Sequence, residues 1–398
     1  MFNPFYAVYA ILGLAVLMIV HEAGHYFVAR AFGMRVERFA IGIGPTIWRH
    51  QPKGSDTIFQ VGLIPFLAYV QIAGLNPFEE IEADDKGSYA NASLLGRISA
   101  IVAGPLANYI FASVFFFGYI MLEGDFSEDP IVVVDDTMKI PDGKDEKGKL
   151  KFNEKATPAS QAGLRTGDRF VAIDGKPIAK WRDIPGLIRP HANDEIRLTV
   201  VREGKKMEIA ATPGDRKGKG FLGVRPVSVP MAVDKGLKRA VQYPAIIVAV
   251  SVTAMVGIFT GKESAQLSGP LGLMRETQKA AKEGFGSYLR ILGVLSTSLA
   301  FFNMLPVPAL DGGRLMFLAY EAVTRRRPNQ KVEAQVHMVG MVMLLTTLVL
   351  VTYREWGSDK SPSEEAAEAR EKEAAEAQKE KSKSKPSEES KAAPESDK

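Results

Sequence analysis

Two histidines four residues apart flank a glutamate in the run His21-Glu-Ala-Gly-His25. On a helix, positions i and i+4 stack on one face with about 5–6 Å between Cβ atoms, so both imidazoles can reach one ion. Glu22 stands beside the first ring, where it can take a proton from water held by that ion. A zinc ion lowers the pKa of such water to about 7, giving hydroxide at neutral pH. The chain has no cysteine and five histidines, His21, His25, His50, His191 and His337. Thiolate ligands and disulfides are therefore excluded, and a metal site has to be made of imidazoles and carboxylates.

A catalytic zinc takes three protein ligands and leaves one position open. His50 falls in a basic loop, His191 in a polar region and His337 at the start of the last apolar run, and none is an obvious third ligand. Asp311 is the better candidate. It lies in Asn303-Met-Leu-Pro-Val-Pro-Ala-Leu-Asp-Gly-Gly-Arg314, a carboxylate within an apolar run, where an unpaired charge is costly. Pro306 and Pro308 remove backbone donors, and Gly312-Gly313 permits tight turns. Broken helix at membrane depth is tolerated where it is buried in protein or lines a wet cavity.

Long apolar elements have to hold these residues. About 20 mainly apolar residues span a bilayer, and five runs approach this, roughly 5–31, 98–122, 240–260, 288–319 and 334–353. The stretch Phe5–Val20 is uncharged, and the histidine motif follows it without a break. On a soluble helix, His and Glu would mark an ordinary solvated face; at membrane depth such groups are expensive and mark function. The first run has no basic start and no small-residue cleavage site, so it reads as a retained span.

Arg30, Arg35, Arg38, Arg49 and Lys53 follow the first run, and Arg325, Arg326, Arg327 and Lys331 follow the fourth. The positive-inside rule puts both sets in the cytoplasm and requires an even number of crossings between them. Runs 98–122 and 288–319 supply two. A third at 240–260 would break parity, so that run is expected to lie along or dip into the membrane, in keeping with Pro244, Lys238, Arg239 and Lys262. The expected fold is an α-helical polytopic membrane protein with about four transmembrane helices.

Residues 123–235 then lie outside the cytoplasm. Their pattern changes to short strands and turns, as in Arg169-Phe-Val-Ala-Ile-Asp-Gly-Lys-Pro-Ile178 and Glu195-Ile-Arg-Leu-Thr-Val-Val-Arg202. The segment Pro158-Ala-Ser-Gln-Ala-Gly-Leu-Arg-Thr-Gly-Asp-Arg-Phe170 resembles a PDZ domain, with an Ala-Gly-Leu-x-x-Gly-Asp turn before a strand. That resemblance implies an inserted α+β domain that takes peptide termini by strand addition. The first 122 residues are expected to hold two spans joined by a cytoplasmic loop. Residues 236–287 form an amphipathic or re-entrant segment, and 288–353 hold the last two spans with the Leu-Asp-Gly motif. Residues 354–398, rich in Glu, Lys, Ala and Ser, are expected to be a charged, disordered tail. A net charge of +4 gives no case for nucleic acid.

His21–His25 together with Leu310-Asp-Gly resembles the site-2 protease family of intramembrane zinc metalloproteases. Gly42-Ile-Gly-Pro45, Gly104-Pro-Leu-Ala-Asn108 and Leu267-Ser-Gly-Pro-Leu271 are similar to its bacterial regulator-of-sigma-E branch. The likeness covers residues 1 to about 353. It implies Zn2+ held by His21, His25 and Asp311, Glu22 as general base, and a multi-pass protein of the bacterial inner (cytoplasmic) membrane. It also implies that Gly42, Gly44 and a β-hairpin near 58–72 form a cytoplasmic re-entrant β-loop that holds substrate as an extended strand, and that Asn303 contacts substrate near the zinc. For Asn108, helix packing and a direct role stand equally open. The implied substrates are single-pass transmembrane proteins already trimmed outside, such as anti-sigma factors or signal-peptide remnants. Two features depart from that branch: it often carries tandem PDZ domains, where one is legible here, and the charged tail lies outside its pattern.

Two rival readings use the same residues differently. A non-enzymatic adaptor would bind peptide termini and tolerate Glu22→Gln. A metal transporter would need ionisable residues along several spans, and few exist beyond Glu22 and Asp311.

Overall fold

The computed structural model describes residues 4–76, 84–135, 140–144, 150–153, 157–215, 219–261 and 269–356. Most of the tail expected at 354–398 lies outside the described residues. One compact unit runs Met1–Glu123 and resumes at Met231, and the other is Gly124–Pro230. In chain order the helices are α1 (Pro4–Ala31), α2 (Leu94–Glu123), α3 (Pro158–Gln161), α4 (Asp183–Ile188), α5 (Val233–Phe259), α6 (Pro270–Glu283), α7 (Phe285–Asn303), α8 (Asp311–Thr324) and α9 (Gln330–Trp356).

In the first unit, α1, α2, α5, α7 and α9 are each long and apolar enough to cross a membrane. A rise of 1.5 Å per residue makes the longer ones about 40 Å, against a hydrocarbon core of about 30 Å. The expected count of about four is thereby corrected to five candidate spans. The difference is α5. The run 240–260 belongs to one continuous helix that accommodates Pro244 in its first half, so its proline does not break it. Gly236 at the start of α5 lies against Met121 and Ile120, and Gly286 at the start of α7 lies against Glu123. Both helices thus begin at the C-terminal end of α2, and the chain between them returns to the end it left. A helix long enough to cross coexists there with no net passage. α6 precedes α7, and its start is held by the Glu355 carboxylate near the end of α9, which accepts from Gly269 N–H at 2.7 Å and Gly272 N–H at 3.2 Å.

The run 288–319 is likewise not one span. α7 ends at Asn303, Met304–Leu310 is irregular, and α8 starts at Asp311. The break falls where Pro306 and Pro308 withdraw backbone donors. Gly312 and Gly313 do not serve as turn residues, however. They lie in the first turn of α8 and let it approach the backbone of Met304–Pro308, which any Cβ there would strike. Further along, the buried Glu321 carboxylate accepts two bonds from Arg97 of α2, at 3.0 and 2.5 Å. A paired charge is the form in which ions are tolerated inside a protein, and this pair fastens α8 to α2.

Between α1 and α2, β1 (Val36–His50) and β2 (Ile58–Ile72) pair antiparallel, but each bends. Residues 38–41 pair with both 58–61 and 68–71, while 46–50 pair again with 59–62. The hairpin is therefore doubled into four short segments, ordered 46–50, 58–62, 38–41 and 68–72. The bend in β1 occurs at Gly42 and Gly44, with φ of +85° and +88°, a region L side chains rarely adopt. Among the described residues no strand pairs with the outer edge of 68–72. Met34, Val36 and Ile72 seat the sheet on the helices by packing with Tyr89, Ile101 and Leu318.

The second unit is a small α+β body around Phe170, Ile173, Ile184, Leu198 and Val200. Its sheet contains β3 (Arg169–Ile173), β4 (Lys176–Pro177), β5 (Ile196–Arg202) and β6 (Lys205–Ala211), in the order β6-β5-β3-β4. Asp174-Gly175 and Glu203-Gly204 join its hairpins, all four with positive φ, as two-residue type I′ turns require. The unit begins and ends slightly inside the expected 123–235. Its Asp168 is 1% exposed and accepts from Arg202 Nε and Nη2, both at 2.7 Å, and from Arg165 N–H at 2.8 Å. Burial opposes the charged carboxylate, but the Arg202 guanidinium and the Arg165 N–H outweigh it and hold its pKa below the ordinary value. A depressed carboxylate pKa adds stability that is complete above the unfolded value of about 3.9 and is lost as pH falls through the folded one. Acid melting of this unit, followed by Trp181 fluorescence, should therefore steepen below about pH 4. Asp168→Asn should flatten that dependence and cost about 2–4 kcal/mol at neutral pH, by stranding a guanidinium.

Candidate active site

α1 presents His21 and His25 on one face, as their spacing dictates, and Gly24 between them allows α2 to approach. A Cβ at Gly24 would lie 2.7 Å from the Ala103 carbonyl carbon. α2 answers with Gly104, which faces the His25 ring directly. Both imidazoles are buried, at 5% and 7% exposure. The helix break then delivers Asp311 opposite them. Its Oδ2 lies 3.2 Å from His21 Nε2 and 3.4 Å from His25 Nε2, and the two Nε2 atoms are 3.2 Å apart.

Each ring is oriented from behind. His25 Nδ1 donates to the Ala100 carbonyl at 2.7 Å, which leaves a lone pair on Nε2 in the neutral ring. His21 Nδ1 lies 3.4 Å from the Asn108 side-chain amide, while Asn108 Oδ1, fully buried, has no other partner. Amide oxygen and nitrogen are interchangeable in position. With Oδ1 turned towards the ring, it accepts the Nδ1 proton and frees Nε2 for a metal, which also satisfies the orphaned oxygen. Asn108 is thus the side chain behind His21. Its polar character in an apolar helix was visible in sequence; its partner was not.

Three lone-pair atoms now converge with no proton among them, and Asp311 Oδ2 has no hydrogen-bond partner. Among the described residues His21, His25 and Asp311 form the cluster able to hold a metal ion. Donors 3.2–3.4 Å apart match the edges of a tetrahedron whose centre is about 2 Å from each corner, the distance zinc takes to nitrogen and oxygen. The residues fit the ion.

The three donors and Glu22 line one cavity of about 490 Å³. Ala68, Tyr69, Val70 and Ile72 line the same cavity, as does Asn303 at the end of α7. Gly42 and Gly44 do not line it; they lie at the bend of β1. His50 lies at the far end of β1 and His191 in the second unit. His337 stands behind the Asp311 turn, donor to no ligand but acceptor from Ala309 N–H at 3.0 Å. Sequence spacing offered no signal for that contact.

Residues 9–347 match the profile of peptidase family M50. The regulator of sigma-E protease RseP of Escherichia coli is 26% identical, over 87% of this chain and 97% of its own length. The zinc metalloprotease RasP of Bacillus licheniformis is 27% identical over the same shares. A protein of Clostridium acetobutylicum with zinc metalloprotease in its name is 28% identical over 88% of this chain and 97% of its own. A match of that extent, on a chain whose apolar helices bring two imidazoles, a carboxylate and a glutamate into one cavity, identifies a multi-pass zinc metalloprotease acting within the membrane, and the chain belongs to peptidase family M50.

Proposed function

We propose that this protein hydrolyses peptide bonds inside the membrane-spanning segments of single-pass proteins, with His21, His25 and Asp311 as zinc ligands and Glu22 as general base. The observation that carries the reading is the shared cavity, in which the donor triangle and Glu22 meet a strand edge that pairs with no other strand among the described residues. Zinc, when bound, acidifies a water and polarises the scissile carbonyl. The Glu22 carboxylate takes the proton of the attacking water and passes it to the leaving amine nitrogen.

A substrate helix has to unwind first, because its carbonyls are engaged within the helix. The freed backbone then needs new partners at membrane depth. Segment 68–72 supplies them as an added-strand edge. Ala68 and Val70 line the cavity, and on this reading both present their N–H groups to it, as alternate residues of a strand share one direction. Asn303 contacts the bound strand, and Gly42 and Gly44 act at one remove by bending the sheet. Gly124–Pro230 acts as a PDZ-like unit that takes peptide termini and restricts entry to trimmed proteins. The substrates are of the anti-sigma or signal-peptide-remnant kind, in the bacterial inner membrane.

Reconstitution with a single-pass substrate in lipid vesicles tests this. Products should be cut within the span, faster when the outer domain of the substrate has been removed, and chelation should stop the reaction. Equal rates for trimmed and untrimmed substrate would remove the gating role. Ala68→Pro should lower kcat/KM about tenfold, since proline removes an outward edge donor and not a ladder bond. Wild-type cleavage by that variant would rule out strand addition at this edge.

A further inference from the structure

Of the five histidines, His337 is the one that touches the metal-site scaffold without facing the metal site. Leu310 N–H donates to the Val307 carbonyl at 3.2 Å, Pro308 follows Val307, and Ala309 has φ +76°. A closing bond, proline second and positive φ third define a type II β-turn, whose third position is ordinarily glycine. Alanine is strained there. Its relaxed alternative is a type I turn, which differs by a flip of the central peptide and turns the Ala309 N–H over. In this structure that N–H donates to His337 Nδ1 at 3.0 Å. The imidazole is backed by the Phe317 ring of α8, with centroids 5.7 Å apart. One turn further along α9, Gly340 abuts Pro308, and a Cβ there would come within 2.8 Å of the Pro308 carbonyl. α9 therefore grips both halves of the peptide that has to be held in the disfavoured orientation. Asp311 follows this turn by one residue.

We propose that His337 is a positioning residue for Asp311: by accepting the Ala309 N–H it selects the type II form of the Val307–Leu310 turn, and so aims the Asp311 carboxylate at His21 and His25. The inference rests on Asp311 being a zinc ligand. Partners that orient a ligand change metal affinity by about 10–100-fold when removed.

The test is metal affinity of the full-length protein in detergent, measured by competition with a chromophoric chelator and by the visible spectrum of the Co2+-substituted protein. His337→Phe keeps the ring and removes the acceptor, and should weaken binding about 10–100-fold. His337→Asn places an amide oxygen near the position of Nδ1 and should stay within about threefold of wild type. Adding Ala309→Gly to His337→Phe should restore affinity, because glycine adopts positive φ without help. That rescue also shows that the His337→Phe chain folds. Unchanged affinity in His337→Phe, an Asn variant as weak as Phe, or failure of Ala309→Gly to restore binding would each overturn the proposal. Asp311→Asn in the same assay separates the two levels. If it binds metal as wild type does, the ligand assignment itself falls; if it loses metal while His337→Phe does not, only the positioning role falls.

Discussion

Glu22→Gln is expected to abolish turnover while leaving the metal site loaded. Glutamine keeps the length and shape of the side chain and one hydrogen-bond-accepting oxygen. It cannot take up the water proton or return it to the leaving amine. General acid–base groups contribute about 10²–10⁴-fold, and here one carboxylate serves both halves of the proton transfer, so a loss of about 10³-fold or more in kcat is expected. Single-turnover cleavage of a reconstituted single-pass substrate measures it, with zinc content determined on the same preparation. Zinc should remain at wild-type occupancy, because Glu22 is not one of the three converging donors. A variant cleaving within tenfold of wild type would return the adaptor and transporter readings to consideration.

The second large effect is expected from a residue that bears no functional group. Gly104→Ala puts a methyl where the His25 imidazole lies, 2.5 Å from Cε1 and 2.7 Å from Cδ2. Contacts that short do not occur between real atoms, so either the ring turns out or α1 and α2 part. Neither is cheap. The ring is held by its 2.7 Å bond to the Ala100 carbonyl, and the helices are closed on each other at Gly24. Rotation of the ring removes one of three ligands, and zinc affinity should fall about 10²-fold or more. Dialysis against a competing chelator, followed by metal analysis, reads this directly. Thermal unfolding of the metal-free protein should change far less, by about the 1–3 kcal/mol of an overpacked contact. Wild-type zinc retention by Gly104→Ala would show that His25 does not stand where the geometry puts it.

The two predictions differ in how far sequence could reach. Glu22 follows from a pattern of five residues on one helix, whose geometry is fixed by the backbone itself. Gly104 shows in sequence only as part of a family-like stretch, with no hint of what it faces. Its importance comes from a side chain on another helix, 79 positions away in the chain, and depends on how closely α1 and α2 pack. The same division holds for the orienting groups: Asn108 behind His21, the Ala100 carbonyl behind His25 and His337 behind the Asp311 turn are contacts between helices. Hydropathy also reached its limit at α5. Length and parity cannot both be read from one apolar run, and only the return of the chain to the end of α2 reconciles them. Gly42 and Gly44 stand out in sequence through the family resemblance, but the segment that lines the cavity is 68–72.

The amino-acid sequence alone determined the chemistry available: two imidazoles and a carboxylate between them on one helical face, a lone aspartate beside a proline break, no thiols, and apolar runs long enough to put all of these in a membrane. Those properties are local, set by residue type and helical period. The tertiary structure alone decided that the aspartate closes a 3.2–3.4 Å triangle with the rings, that a strand edge runs past them, and that α9 holds the strained turn. Those are consequences of which surfaces pack together, and packing is settled by shape complementarity across the whole unit rather than by any stretch of chain read by itself.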